Sequence, residues 1–419
     1  MKKTVIIIGG GASGLMAAYF AAENSKHAAK VIIIEKNKRP ARKVMITGKG
    51  RCNVTNNSDV NTLIANVPHN GKFLYSAFSQ FSARDTMEWF ENKGVALKTE
   101  RGNRVFPVSD KSTDIVDALV RAVKSAGAVF VRSSAKQVLV QNGAVNGVKL
   151  ENGSVIYADS VIIATGGISY PLTGSTGDGY KIAGELGHTV SELSASLVPL
   201  ECREGYCSSI SGLSLKNIEL SVFEPQKKKP LFCETGEMLF THFGISGPLV
   251  LSASAHLNFT KCGEYNAFID LKPALSKERL DKRILRDFEE EKNRDFCNAL
   301  DKLLPKSIIP VIVAASKIPA HIKVNQINRE QRSSLAALIK HLPLHITSTA
   351  PVEQAVITRG GVSVKQIDPK SMQSKLVKNL FFAGEVIDVD AYTGGFNLQI
   401  AFSTGAMAGK NAVKNNEDD

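Results

Sequence analysis

Val5-Ile6-Ile7-Ile8-Gly9-Gly10-Gly11-Ala12-Ser13-Gly14 is the stretch that decides the fold. Four consecutive β-branched residues read as a strand that is apolar on both faces, as expected inside a parallel sheet. Glycines at 9, 11 and 14 follow in G-x-G-x-x-G spacing, and residues 12–22 are helix formers with few polar interruptions. Each glycine has a physical task. Gly9 allows a tight turn, Gly11 lets backbone amides approach a pyrophosphate, and Gly14 lets the helix lie close on the strand. The helix start, Ala12 and Ser13, presents amides and a positive dipole end that favour an anion.

Moving outward, residues 31–34 supply a second buried strand ending at Glu35, with Lys36 beside it. Glu35 lies 21 residues beyond Gly14, where a carboxylate can accept from ribose hydroxyls. Strand, glycine turn, helix, strand and acid together make a βαβ dinucleotide-binding unit. The same glycines interrupt the apolar run after Lys2 and Lys3 that would otherwise resemble a secretory leader. The N-terminus therefore reads as structural and the chain as cytoplasmic.

A second glycine-and-acid segment near the other end selects FAD over NAD. Residues 380–383 read as a strand running into Gly384 and Glu385, and Gly394-Gly395-Phe396-Asn397-Leu398 reads as a turn entering a helix. In flavoproteins with two such segments the first pair holds the ribityl chain. The second aims a helix start at the flavin pyrimidine ring, where its dipole stabilises the anionic reduced form. Residues 161–164 form another buried strand entering Thr165-Gly166-Gly167, the Ala-Thr-Gly turn of the same class. The glycines of 174–179 follow no strand and lack an acidic partner. NAD(P)H is therefore expected only as a transient co-substrate.

A chain of 419 residues is expected to form more than one domain. Residues 110–127 read as a helix capped by Ser109 or Asp110, and 129–131, 136–140 and 145–150 as a β-meander. From about 191 strand-like segments follow (197–200, 218–223, 265–271), and 276–342 shows helical periodicity broken by Pro305, Pro310 and Pro319. The expected division is a dinucleotide-binding domain at 1–190 and 356–419, a β-rich domain at 191–275 and 343–355, and a helical subdomain at 276–342. A polar tail begins at Lys414.

Composition narrows the partners. A formal net charge of +12 attracts polyanions and makes association salt-dependent. Six cysteines without a CxxC pair fit a reduced compartment, and give no disulfide framework and no metal site. Cys202 and Cys207 lie too far downstream for a flavoprotein disulfide pair and read as two unrelated thiols. No apolar run approaches the roughly 20 residues of a membrane span. Neither a membrane nor a stable protein partner is expected.

Between the two glycine segments stands Thr47-Gly48-Lys49-Gly50-Arg51-Cys52-Asn53-Val54-Thr55-Asn56, after Arg42-Lys43. Later come Gly166-Gly167-Ile168-Ser169-Tyr170-Pro171, Phe240-Thr241-His242-Phe243-Gly244-Ile245-Ser246-Gly247-Pro248, and Thr358-Arg359-Gly360-Gly361-Val362. In this order the runs resemble the BaiN and ribosomal RNA dihydrouridine synthase A type of NAD(P)/FAD-dependent oxidoreductases, over nearly the whole chain. Phe396 departs from the tyrosine often found there.

The resemblance implies an α/β, Rossmann-like FAD-binding domain split by a β-barrel-like domain and a small helical subdomain. It places Gly50, Arg51, Cys52 and Asn53 beside the flavin. Arg42, Lys43, Lys49 and Arg51 could serve the FAD pyrophosphate or an anionic substrate. Cys52 reads either as a general acid or as a small buried filler, and His242 either as a proton donor or as a satisfied structural histidine. The family's substrates range from a uridine of large-subunit ribosomal RNA to bile-acid enones and aminoacetone. Reduction of uridine to dihydrouridine in 23S ribosomal RNA is therefore the first expectation. A small-molecule reductase or amine oxidase is the second, and a redox-inactive, FAD-containing RNA-binding protein the third.

Overall fold

Five parallel strands form one sheet in the order Leu380–Phe382, Ser160–Ile163, Thr4–Ile8, Lys30–Ile34, Val129–Val131. Val5, Ile6, Ile7, Ile162 and Ile163 are fully buried, as a sheet covered on both faces requires. From Thr4–Ile8 the chain runs outward on one side and later returns to the other. The strand order therefore reverses between Thr4–Ile8 and Ser160–Ile163, the place where open α/β sheets form ligand crevices. The protein is described here by a computed structural model covering residues 2–414. The polar tail expected from Lys414 lies, beyond that residue, outside the described residues.

The first helix, Ala12–Asn24, and the last, Phe396–Ala412, pack backbone to backbone. A Cβ on Gly405 would stand 2.4 Å from Ser13 O, and one on Gly409 2.2 Å from Ala17 O. Two glycines one turn apart thus bring the ends of the chain together at a helix-propensity cost of about 1 kcal/mol each. Two sequence expectations are corrected in this unit. Val129–Val131 is no meander strand but the edge of the parallel sheet, and the meander is Ala135–Gln141, Ala144–Leu150 and Val155–Tyr157. The helix begins later than expected, as Ser112–Ser125, without a side-chain cap. Asp110 is instead engaged by Arg51 and Lys98, and Ser109 Oγ bonds Asp114.

The chain divides into two units, Met1–Ser196 with Pro351–Asp419, and Leu197–Ala350. In the second, a closed barrel runs Leu200–Cys202, Gly244–Ser246, Phe232–Thr241, Ser214–Phe223, Tyr265–Asp270, Leu342–Thr349. Leu342–Thr349 pairs back onto Leu200–Cys202, which leaves no open edge. Tyr265, Ala267 and Ile269 alternate inward and share a core with Leu280, Ile284, Leu335 and Ile339 of the helices Lys277–Glu290 and Arg329–Lys340. Leu197 is left-handed (φ 54°), so the strand expected from 197 starts at Leu200. The two thiols expected to be unrelated are neighbours: hydrogen bonding to Cys207, then burial, raises the Cys202 thiol above its usual range. The architecture is thus α/β and Rossmann-like, interrupted by a barrel and a helical region. No helix among the described residues is long and apolar enough to cross a membrane.

Candidate cofactor and active site

At the strand-order reversal the first unit opens a cleft of about 1180 Å³, its open mouth included. Gly9 turns the chain there with φ 105°, and a Cβ would lie 2.5 Å from Ala164 O. Gly11, Ala12 and Ser13 line the cleft, as do Thr165 and Gly166 after the neighbouring strand. From the far end of the sequence Glu385, Asn397 and Leu398 line it too. Both helix starts lack a side-chain cap, since Gly11 and Gly395 are the capping residues. First-turn amides have no partner within their own helix, so two sets of free donors border one cavity. Thr165 adds a buried Oγ1 with no hydrogen-bond partner.

Charged side chains fix the walls. Glu35 Oε2 accepts from Gly10 N at 2.7 Å, and Oε1 accepts from Asn37 N at 2.7 Å and Asn37 Nδ2 at 2.9 Å. Lys36 Nζ lies 2.6 Å from Asp178 Oδ2, and Arg42 donates to Asn37 Oδ1 at 3.2 Å. Lys43 Nζ is 2.7 Å from both Glu385 Oε2 and Ser169 Oγ, and Glu385 Oε1 accepts from Thr358 N at 2.8 Å. Thr358 Oγ1 also accepts from Ile168 N, which joins two of the distant sequence runs.

The other expected residues shape the cleft without lining it. A Cβ on Gly14 would meet Gly9 O, one on Gly167 Thr358 and Glu385, one on Gly384 (φ 77°) Ser13, and one on Gly395 Thr55 O. Phe396 is buried against Gly394. Gly48, Lys49, Gly50 and Cys52 are all left-handed, which coils this run tightly. Arg51 points to Glu100 and Asp110 and stacks 4.1 Å over Phe106. Those hydrogen bonds hold the guanidinium above and the Glu100 carboxyl below their usual ranges, and hydrogen bonds from Lys98, then Arg51, hold the Asp110 carboxyl below its own. Asn53 Oδ1 is buried and has no hydrogen-bond partner among the described residues. Cys52 is fully buried, and desolvation pushes its thiol up to about 12. His242 belongs to the second unit, exposed at the turn after Phe232–Thr241 and edge-on to Phe243.

Thr55 and Asn56 do the clearest work of this run. Thr55 Oγ1 donates to Gln399 Oε1 in the last helix, and Asn56 Nδ2 donates to Gly394 O at 3.0 Å, so the short strand Thr55–Asn56 sets the position of the second helix start. Among cleft residues not foreseen are Asn37, Thr47, Ser133, Ser134, Thr173, Asp178 and Ile357. Ser133 and Ser134 follow Val129–Val131. Assigning that strand to the parallel sheet would have located them.

A reversal-point cleft bordered by two glycine turns and two bare helix starts defines a Rossmann-type, FAD-dependent oxidoreductase. More narrowly, the chain belongs to the HI0933-like Rossmann family, whose model matches residues 3–411. It is 31% identical to the ribosomal RNA dihydrouridine synthase of Haemophilus influenzae, covering 95% of this chain and 96% of that one. It is 29% identical to the 3-dehydro-bile acid delta(4,6)-reductase of Clostridium scindens, over 97% and 98% respectively. Among solved structures, 3-ketosteroid-delta4-(5alpha)-dehydrogenase from Rhodococcus jostii shares the fold with a TM-score of 0.53 at 12% identity, over 99% of this chain and 97% of that one.

Proposed function

We propose that the protein binds FAD in this cleft, takes electrons from NAD(P)H, and reduces uridine to dihydrouridine in large-subunit ribosomal RNA. The observation that carries the substrate is the full-length 31% identity to a protein named for that product. The net charge of +12 suits a polyanionic substrate. When bound, FAD supplies two-electron transfer from the nicotinamide to an electron-poor C=C bond.

The residues present fit that cofactor. The amides around Gly11, Ala12 and Ser13 would hold the pyrophosphate at the first helix start, and Glu35, which lines the cleft, would accept from ribose hydroxyls. Glu385, pinned by Lys43, and the Asn397 and Leu398 amides line the same cleft, where they would hold the ribityl chain and the flavin ring. Cys52, buried and outside the cleft lining, suits the filler role better than that of a proton donor.

The test is mass spectrometry of large-subunit RNA from a deletion strain and its complemented parent. Loss of dihydrouridine, restored by the gene, is expected; unchanged dihydrouridine rejects the RNA substrate. The likeness to the bile-acid reductase favours a second reading, reduction of a small-molecule enone. Unchanged RNA together with NAD(P)H-driven reduction of a steroid enone by the purified protein would select it. A flavin that NAD(P)H cannot bleach without oxygen would leave the redox-inactive RNA-binding reading.

A further inference from the structure

The hairpin of Leu97–Glu100 and Arg104–Pro107 turns at Gly102 (φ 76°) and Asn103 (φ 57°). Its basic residues differ in their surroundings. At its base Lys98 is paired with Asp110, and beside it Arg51 is paired with Glu100 and Asp110, so those cations are neutralised within the fold. At its tip Arg101 and Arg104 are exposed, and neither forms an ion pair among the described residues. Arg104 Nε donates to Arg101 O at 3.0 Å, and its guanidinium lies 5.9 Å over the Phe106 ring, which leaves its remaining donors to solvent. Lys49, in the neighbouring left-handed coil, is likewise exposed and has no ion pair among the described residues.

The tip is held rigidly, and from the side of the cleft. Asn56 is buried, and its Nδ2 donates at 3.0 Å to Gly102 O at the tip and at 3.0 Å to Gly394 O before the last helix. Asn57 N donates to Asn103 O at 2.8 Å. One amide group therefore ties the two bare arginines to the turn that carries Asn397 and Leu398 into the cleft. Exposed cations on a flexible loop are ordinary solvated charge. Here the backbone that carries two of them is held by a buried side chain next to the proposed reaction site, and the neighbouring Glu100 and Asp110 are already paired with Arg51 and Lys98.

We propose that Arg101 and Arg104, with Lys49, form a phosphate-gripping element that holds the RNA backbone beside the nucleotide presented to the cleft. This rests on the ribosomal RNA reading. Guanidinium groups suit phosphate because their donors match two of its oxygens at once. Such contacts fix the position of a strand without reading its sequence.

The test uses the full-length flavin-loaded protein and a short fluorescein-labelled single-stranded RNA of mixed sequence, with affinity measured across a salt series. Each lost phosphate contact lowers the slope of log K against log salt by about 0.7, so R101A/R104A should lower it by about 1.4 and weaken binding roughly tenfold or more at moderate salt. R101K/R104K should recover most of the slope. K227A/K228A/K229A, which removes three exposed charges in the other unit, should change it less than the arginine pair does. Flavin absorbance and its bleaching by NAD(P)H should be the same in all variants, which shows that they fold. Wild-type binding that R101A/R104A leaves unchanged, or that the triple lysine variant lowers equally, overturns the hairpin assignment alone. Wild-type protein that does not bind RNA removes the RNA reading and this element with it.

Discussion

Lys43 Nζ meets Glu385 Oε2 at 2.7 Å across 342 positions of sequence. The carboxylate also takes hydrogen bonds from Ser169 Oγ and Thr358 N, so three separate stretches of chain converge on it. Both side chains are mostly shielded, at 21% and 12% exposure. Replacing Lys43 with Ala leaves a partly buried carboxylate without its cation, at a cost of about 1–3 kcal/mol. Lys43→Ala should lower the thermal midpoint and release FAD more readily, while Glu385→Gln, which keeps an acceptor, should lose less. Equal midpoints for wild type and Lys43→Ala would show that the pair adds nothing.

The contact between the first and last helices rests on the absence of two side chains. Because the atoms that a Cβ would meet at Gly405 and Gly409 are carbonyl oxygens of the facing backbone, neither can swing aside. Alanine gains about 1 kcal/mol of helix propensity at each site. Overpacking typically costs 1–3 kcal/mol and here forces two helices apart, so the balance is unfavourable. Gly409→Ala should lower the urea midpoint, and the double variant should also lose FAD, since the same helices carry both bare N-termini. A stabilised Gly409→Ala would contradict the packing described.

Glu35 is expected to matter for affinity more than for folding. It accepts from Gly10 N, and so braces the glycine turn while facing the cleft. Glu35→Ala removes that brace together with the proposed ribose acceptor, and FAD should bind about tenfold or more weakly, roughly 1.4 kcal/mol. Titration of stripped protein followed by flavin fluorescence measures this directly. An unchanged dissociation constant would move the ribose elsewhere.

What could be read from the sequence divides according to how local each signal is. Val5 to Gly14 declares itself because strand, turn and helix start are successive residues obeying successive rules. The edge strand Val129–Val131 did not, because Val129 is 53% exposed and the run lacks the double-sided burial of the central strands. Asp110 resembled a helix cap only because its partners, Arg51 and Lys98, come from other elements that the fold brings alongside. The same distance hid the role of Thr55 and Asn56, whose contacts lie with Gly394 and Gln399. His242 falls within the β-rich stretch expected at 191–275 and lies in the second unit, and no local rule in its motif separates a proton donor from an exposed turn residue.

Cys52 offers a test that depends on pH. Its thiol is fully buried, and desolvation pushes it from an ordinary 9.0 to about 12. The folded state therefore binds the proton more tightly than the unfolded state does, and this contribution to stability is complete below pH 9 and fades as pH rises toward 12. Two outcomes follow. At pH 8 iodoacetamide should label the exposed Cys233 in native protein and spare Cys52 until denaturant is added. Between pH 9 and 11 the urea midpoint of wild type should also fall more steeply than that of Cys52→Ala, a comparison that cancels the titration of other groups. Native labelling of Cys52 as fast as Cys233 would mean a reachable thiolate and would return this cysteine to the list of proton donors.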